Sequence, residues 1–523
     1  MKAISVNVTK KSTICEFVTL DGDSLTIDRL IKVVRCMAPV CLAEDAKTRM
    51  RASRRLIEEK VASNQAVYGV TTGFGDFSKV KISSEKLLKL QVNLIRSHAV
   101  GVGEFAADEI VRATMLLRIN ALAKGCSGVR VELVETLIDM LNKNVLPHIP
   151  CQGSVGASGD LAPLSHIALG LIGEGEVSYN GKIKNATTAM KQAGIIPATL
   201  EMKEGLALIN GVQFMTAIGA LACFDAYKLA KHADIAGAMS TDAMKGTVSS
   251  ADKRIQKVRA FKGQGDSAKN IRNLLEGSEI LASHTNCDMI QDSYSIRCIP
   301  QVHGASRDTI DYVKGIIEIE MNSATDNPLI FANDGDILSG GNFHGQPVAL
   351  AMDFLGIALA ELANISERRI AKLVDKSLSN GLPPFLTGKG GLNSGFMIVQ
   401  YTAASLVSEN KTLAHPASVD SIPTSASQED HVSMGTIGAR HCRKILKNAQ
   451  QVIGIELLCA AQGVDFRRPL KSSSPIERAH AIIRKNIPKL VTDRIIYTDL
   501  VKIKELVENN NILEAVEYII KLC

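Results

Sequence analysis

The chain has 523 residues, 46% hydrophobic and 22% charged, with a formal net charge of +6. These are the proportions of an ordinary globular protein long enough for several domain-sized cores. The charge is small for the length and dispersed, aromatics make up 4%, and there is no Trp, which argues against a stacking platform for single-stranded nucleic acid and against nucleic acid as a partner.

The eleven cysteines are odd in number and contain no Cys-x-x-Cys pair. That pattern fits free thiols in a reducing compartment and neither a disulfide framework nor a zinc site. The N-terminal residues contain no apolar core of signal-peptide length, and no uninterrupted apolar run is long enough to span a bilayer. The expectation is a cytoplasmic protein with no membrane partner and no bound metal.

In chain order, Leu25 to about Val61 reads as charged amphipathic helices, and Tyr68 to Phe77 as a polar, glycine-rich loop. Helices are expected over Lys86–Val100, Ile110–Ala123 and Val129–Leu141, the last capped by Ser127. Leu146–Pro150 does not read as a strand. After a glycine-rich stretch, Leu161–Leu171 resumes as an apolar helix. Glu174 to Ile183 reads as a hairpin turning on Asn180-Gly181, and a second hairpin joins Leu329–Phe331 to Ile337-Leu338. Long buried helices are expected over 211–231, 348–373 and 436–462, with a capping box at Ser474-Pro-Ile-Glu477. The fold class is mainly α: a long central helix bundle, plus an N-terminal mixed domain with small β-hairpins. The division falls near residue 210, giving 1–210 and 211–523.

The chemically unusual stretch is Gly153-Ser-Val-Gly-Ala-Ser-Gly-Asp-Leu-Ala-Pro-Leu164. Three glycines at a spacing of three allow tight backbone approach. In a sharp fold-back the Gly159 nitrogen reaches the Ala157 carbonyl carbon. Ring closure and loss of water from Ser158 would then leave an exocyclic methylene, an electrophile that no ordinary side chain provides. Three other readings compete. A dinucleotide fingerprint needs a different glycine spacing, a nucleophile elbow needs a glycine where Asp160 stands, and a plain flexible loop requires nothing further.

Gly153–Leu164 resembles the signature of the aromatic amino-acid ammonia-lyase family. So do Tyr68-Gly-Val-Thr-Thr-Gly-Phe-Gly75, Gln291-Asp-Ser-Tyr-Ser-Ile-Arg297, Asn322-Ser-Ala-Thr-Asp-Asn-Pro328, Gly340-Gly-Asn-Phe-His-Gly345 and Gln428-Glu-Asp-His-Val-Ser-Met434. The resemblance implies that Ala157, Ser158 and Gly159 form a 4-methylideneimidazol-5-one (MIO) group, with no external cofactor. It implies that Tyr68 is the catalytic base and that Tyr294 belongs with the catalytic residues. Arg297 would pair with the substrate carboxylate, a contact of about 1.5–3 kcal/mol against about 0–1 for a surface ion pair. Asn210 would sit against the MIO group, and Phe343 and Gln346 would line the pocket. Gln291 and Tyr294 precede Arg297 at steps of three, so one helical turn would make them neighbours.

Ser97-His98 and Gln428-Glu429 resemble the histidine-using branch, in which His98 and Glu429 read an imidazole ring. The implied reaction is deamination of L-histidine to trans-urocanate by a homotetramer. A tyrosine or phenylalanine lyase, a 2,3-aminomutase, a non-catalytic helical scaffold and, remotely, a serine hydrolase are the alternatives. Whether the amine or the ring of the substrate adds to the electrophile stays open. Three residues depart from the histidine-branch pattern: His303 stands where Met is usual, Ser427 where Asn is, and Arg96 is an unexpected charge beside Ser97.

Overall fold

The computed structural model describes residues 17–63, 84–284 and 290–523. Five helices dominate it: Gln213–Ala243, Ile299–Met321, Gln346–Val374, Met397–Leu413 and Gly435–Arg467. The helices Gln346–Val374 and Gly435–Arg467 pack along each other, and Gln213–Ala243 lies against both. Leu355, Leu359, Leu362 and Leu373 form a stripe on Gln346–Val374 and are completely buried, while Glu361 and Arg368 stay exposed on the other side. Each such leucine contributes about 1.5–3 kcal/mol, so Leu359→Ala would cost about 2–5 kcal/mol once the cavity is included. Asp353, the one charge in the apolar half of this helix, accepts the amides of Ala417 (3.2 Å) and Ser418 (2.8 Å), which compensates its burial. By length and composition the helix could cross a membrane, although Asp353 interrupts its apolar run, and 67% of that window is buried inside the protein.

Other elements differ from expectation in instructive ways. The helix expected over 211–231 continues to Ala243, because Asp234, Ser240 and Asp242 are buried with partners and not solvated. The helix Val131–Asn142 starts after Arg130, and Ser127 does not cap it. The capping serine near the end is Ser473, whose hydroxyl accepts the Ile476 amide. Pro475 is therefore the second helical residue, and Glu477 accepts the Ser472 amide at 2.8 Å.

Leu146–Pro147 and Pro150–Gln152 are strands after all. The first adds to the hairpin Glu176–Tyr179/Lys182–Asn185, and the second pairs with Val102–Phe105. At two and three residues they are too short to alternate, and both carry proline, which is tolerated at sheet edges; their partners, not their sequence, define them. A parallel pair, Val18–Leu20 with Val40–Leu42, was likewise unexpected. Both hairpins form as read, and Asn180 (φ 52°) and Gly181 (φ 69°) give the left-handed pair of a type I′ turn.

Candidate active site

The strand Pro150–Gln152 feeds the glycine stretch, which enters the helix Leu161–Leu171. Two remote segments grip the loop between them. The Met434 amide donates to Val155 O at 2.8 Å, and the Gly156 carbonyl accepts from Ser433 Oγ (2.9 Å) and the Gly345 amide (3.3 Å). On the other side the Asp160 amide donates to Gly211 O at 2.6 Å.

The glycines are required here. Gly156 and Gly159 have φ of +70° and +77°. A Cβ on Gly156 would lie 2.2 Å from Ser433 Oγ, and one on Gly159 would lie 2.1 Å from Gly211 O. No L side chain fits such a fold-back.

Asp160, which the reading of the sequence passed over, is the pin. It is fully buried. Its carboxylate accepts from Ser154 Oγ (3.0 Å), the Met215 amide (2.9 Å) and Thr436 Oγ1. Burial pushes its pKa up, and these hydrogen bonds pull it back. Behind the loop, the buried Arg118 donates to Asn210 O (2.9 Å) and Gln213 Oε1 (2.7 Å), and burial lowers its pKa to about 10.

A cleft of about 440 Å³ opens over this loop, and Ala157, Ser158, Asn210, Phe343 and Glu429 all line it. Gly159 follows Ser158 and lies beneath, bridged to Gly211. Asn210 Oδ1 is buried without a hydrogen-bond partner, as is Gln346 Oε1. The fold-back at Gly156 and Gly159, where a Cβ would collide with Ser433 and Gly211, suits a five-membered ring made from Ala157-Ser158-Gly159, so the residues present fit an MIO group, and the unpaired Asn210 Oδ1 beside it suits a substrate amine donor. Gln346 begins the helix Gln346–Val374, and its amide reaches His344 Nδ1 at 3.3 Å. His344 and His431 stack across the cleft wall with ring centroids 5.5 Å apart. These two histidines, with Asn327 and Asp430, were present in the quoted motifs but were not singled out.

His98 ends the helix Ser84–His98. Its Nδ1 lies 2.8 Å from Leu94 O and 3.0 Å from Ser97 Oγ. Burial moves its pKa below the ordinary imidazole value, and the Leu94 carbonyl and the charge of Glu429 partly offset this, which places Glu429 in its electrostatic neighbourhood. Glu429 Oε2 accepts from Thr424 Oγ1 at 2.8 Å, leaving Oε1 for another donor.

Gln291, Tyr294 and Arg297 form a second cluster that does not line the cleft. The Arg297 guanidinium lies 4.8 Å from the Tyr294 ring centroid and donates to Gln291 Oε1. Tyr294 and Arg297 are neighbours on one helical turn, as the spacing implied, but Gln291 is not on it, since the turn begins only at Tyr294 after Ser293; Gln291 joins them by side-chain contact alone. Tyr68 lies outside the described residues.

Of the departures, Arg96 pairs with Glu174 on the surface. Ser427 is exposed with φ 65°, following Ser425 and Ala426, both at 53°. His303 is wholly buried in the bundle.

The aromatic amino acid lyase family matches residues 25–485. The histidine ammonia-lyase of Alkaliphilus oremlandii is 56% identical over 505 residues, covering 97% of this chain and 99% of that one. Among solved structures, the histidine ammonia-lyase of Trypanosoma cruzi superposes with a TM-score of 0.90 at 46% identity, over 96% of this chain and 95% of that one. The tyrosine aminomutase of Streptomyces globisporus superposes with a TM-score of 0.92 at 38% identity, over 97% of this chain and 100% of that one. The backbone thus suits more than one chemistry of this kind, and the match across nearly the whole chain places the protein in the aromatic amino acid lyase family.

Proposed function

We propose that the protein is a histidine ammonia-lyase, converting L-histidine to trans-urocanate and ammonia. The observation that carries this reading is the Glu429 carboxylate, an acceptor for a ring N–H, in the cleft with Ala157-Ser158. Glu429 Oε1 accepts an N–H of the substrate imidazole. His98 donates its Nδ1–H to Leu94 O, so its Nε2 accepts, and it pairs with the ring when the substrate imidazole carries a proton on both nitrogens. A phenyl ring would leave both groups unpaired in a half-buried site, and discrimination of that kind reaches about 10⁴–10⁵. The full-length relationship to histidine ammonia-lyases supports the same substrate.

Ala157, Ser158 and Gly159 would hold the MIO group, formed by their condensation with loss of two waters. That group supplies an electrophile that makes the amino nitrogen a better leaving group. Asn210 holds the amine side through its unpaired Oδ1, with its backbone fixed by Arg118. Arg297 pairs with the substrate carboxylate in a charge-assisted fork, flanked by Gln291 and Tyr294. Phe343 and Gln346 pack the wall, and Tyr68 removes the β-proton.

The chain assembles as a homotetramer in which more than one copy completes each site. Two observations support this: the separation of the Arg297 cluster from the cleft, and exposed apolar residues on packed helices, namely Tyr312, Leu350, Phe354, Ile357, Ile398 and Tyr401. Patches of this kind mark interaction surfaces.

The test is to mix purified protein with histidine and follow urocanate absorbance. Urocanate accumulates with the wild type and not with Ser158→Ala. Coumarate from tyrosine, or a β-amino acid, without urocanate would assign a tyrosine lyase or an aminomutase instead.

A further inference from the structure

The centre of the bundle contains a set of charges with no part in the chemistry above. Asp234, His303, Arg369 and Glu456 are all completely buried, and Arg307 nearly so. They come from four different helices: Gln213–Ala243, Ile299–Met321, Gln346–Val374 and Gly435–Arg467. Asp234 Oδ1 lies 2.7 Å from His303 Nδ1 and accepts Ser267 Oγ at 2.8 Å. Its Oδ2 accepts Arg307 Nη2 (2.6 Å) and Asn270 Nδ2 (2.8 Å). Arg369 forks onto Glu456 through Nε (2.5 Å) and Nη2 (2.8 Å). Both terminal nitrogens of Arg369 lie 3.5 Å from His303 Nε2.

These contacts fix the state of the imidazole. Asp234 accepts at Nδ1, so the proton resides there, and the Nε2 lone pair faces the guanidinium. Burial and the neighbouring Arg369 both oppose a second proton, and Asp234 and Glu456 offset them only in part. The ring is a neutral spacer between a carboxylate and an arginine.

Arg369 has one further bond, and it leads out of the core. Its Nη1 donates to Ser295 O at 3.2 Å. Ser295 lies in the turn Tyr294–Arg297, from which Tyr294 projects into solvent. Tyr294 is 71% exposed and nearby Ile290 95%, while Ile296 is buried and the Thr247 amide donates to Asp292.

We propose that His303 is a positioning residue: donating from Nδ1 to Asp234 and accepting at Nε2 from Arg369, it aims Arg369 at the Ser295 carbonyl and so orients Arg297 for the substrate carboxylate. This rests on the reading that Arg297 binds that carboxylate. A guanidinium fork is sensitive to orientation, so loosening the turn weakens ligands that carry a carboxylate and spares those that lack one.

The experiment uses the full-length assembled enzyme and two inhibitors: urocanate, which carries the carboxylate, and histamine, which has the ring and amine without it. His303→Met keeps approximate volume and removes both hydrogen-bonding ends. It raises KM for histidine and Ki for urocanate about tenfold, while Ki for histamine stays within about twofold and kcat changes less than KM. His303→Gln offers an amide donor to Asp234 and an oxygen to Arg369, and returns the urocanate Ki to within about threefold of wild type.

Equal weakening of both inhibitors, no weakening of either, or a glutamine no better than methionine overturns the proposal. Should the methionine variant fail to fold, His303→Asn, too short to span Asp234 and Arg369, replaces it with the same expected split. Arg297→Gln separates the two levels of the argument. If it leaves urocanate affinity intact, the carboxylate reading fails and the proposal falls with it. If it weakens urocanate while the His303 variants do not, the positioning role alone is wrong.

Discussion

The loop Gly153–Asp160 and the turn at 290–297 carry residues expected to meet one substrate, yet the chain treats them in opposite ways. The loop is clamped from both sides: Ser433, Met434 and Gly345 hold Val155 and Gly156, while Gly211, Met215 and Thr436 hold Asp160. The turn has Tyr294 71% exposed and reaches the core chiefly through Ile296 and the bond from Arg369 to Ser295. A group that must condense with its own neighbours needs a rigid, crowded setting. A group that must reach a substrate lying over another surface needs to project. The contrast supports a site divided between copies, with the electrophile side built into each chain and the carboxylate side offered outward.

The largest expected effect tests that division directly. Ser158→Ala and Arg297→Gln each reduce histidine turnover by more than about 100-fold. Co-assembled from a mixed population, they recover activity, with roughly a quarter of sites receiving both intact halves if the halves come from different copies. Recovery no greater than the two variants' own activities would place both halves in one chain.

Next in size, Glu429→Gln lowers kcat/KM for histidine by about 10- to 100-fold, the worth of a charge-assisted hydrogen bond, and leaves the melting temperature nearly unchanged. A matching loss of stability would return Glu429 to a structural role with Thr424.

A smaller effect measures what clamping the loop costs. Burial raises the Asp160 pKa, so between its unfolded and folded values the native chain binds more protons than the unfolded one. Stability from this residue therefore falls as pH rises through that window and returns as pH is lowered. Urea unfolding from pH 7 to pH 4 should show the wild type gaining stability relative to Asp160→Asn, opposite in sign to an ion-paired carboxylate. The smallest change is at the rim. Ser427 is in the left-handed region, which Asn tolerates better, so Ser427→Asn stabilises the chain by up to about 0.5 kcal/mol, measured by the same titration.

Much of this was legible in the residues because local chemistry dictated it. Asn180-Gly181 specifies a type I′ turn almost alone, the leucine stripe of 355–373 specifies a buried helix, and the glycines at 153, 156 and 159 announce a fold-back. What was not legible depends on distant partners. Asp160 reads as an ordinary residue after a glycine until Thr436 and Met215 arrive to bind it. The strands at 146–147 and 150–152 are created by their neighbours. The helix expected to stop at Lys231 runs on because His303 and Arg307 bind the Asp234 carboxylate inside it. Gln291 was grouped with Arg297 by helical spacing, whereas a side-chain bond across a non-helical segment joins them.

The grip on the glycine loop also sets an order of events during synthesis. Ser433 Oγ reaches Gly156 across 277 positions, and Thr436 reaches Asp160 across 276. A ribosome that has released only the first four hundred residues has delivered the three small reactants but not the vice that compresses them. On the proposed condensation, the electrophile would mature only once the bundle has closed, so an unfinished or clipped chain would stay chemically inert and only molecules that have already folded would react with amines.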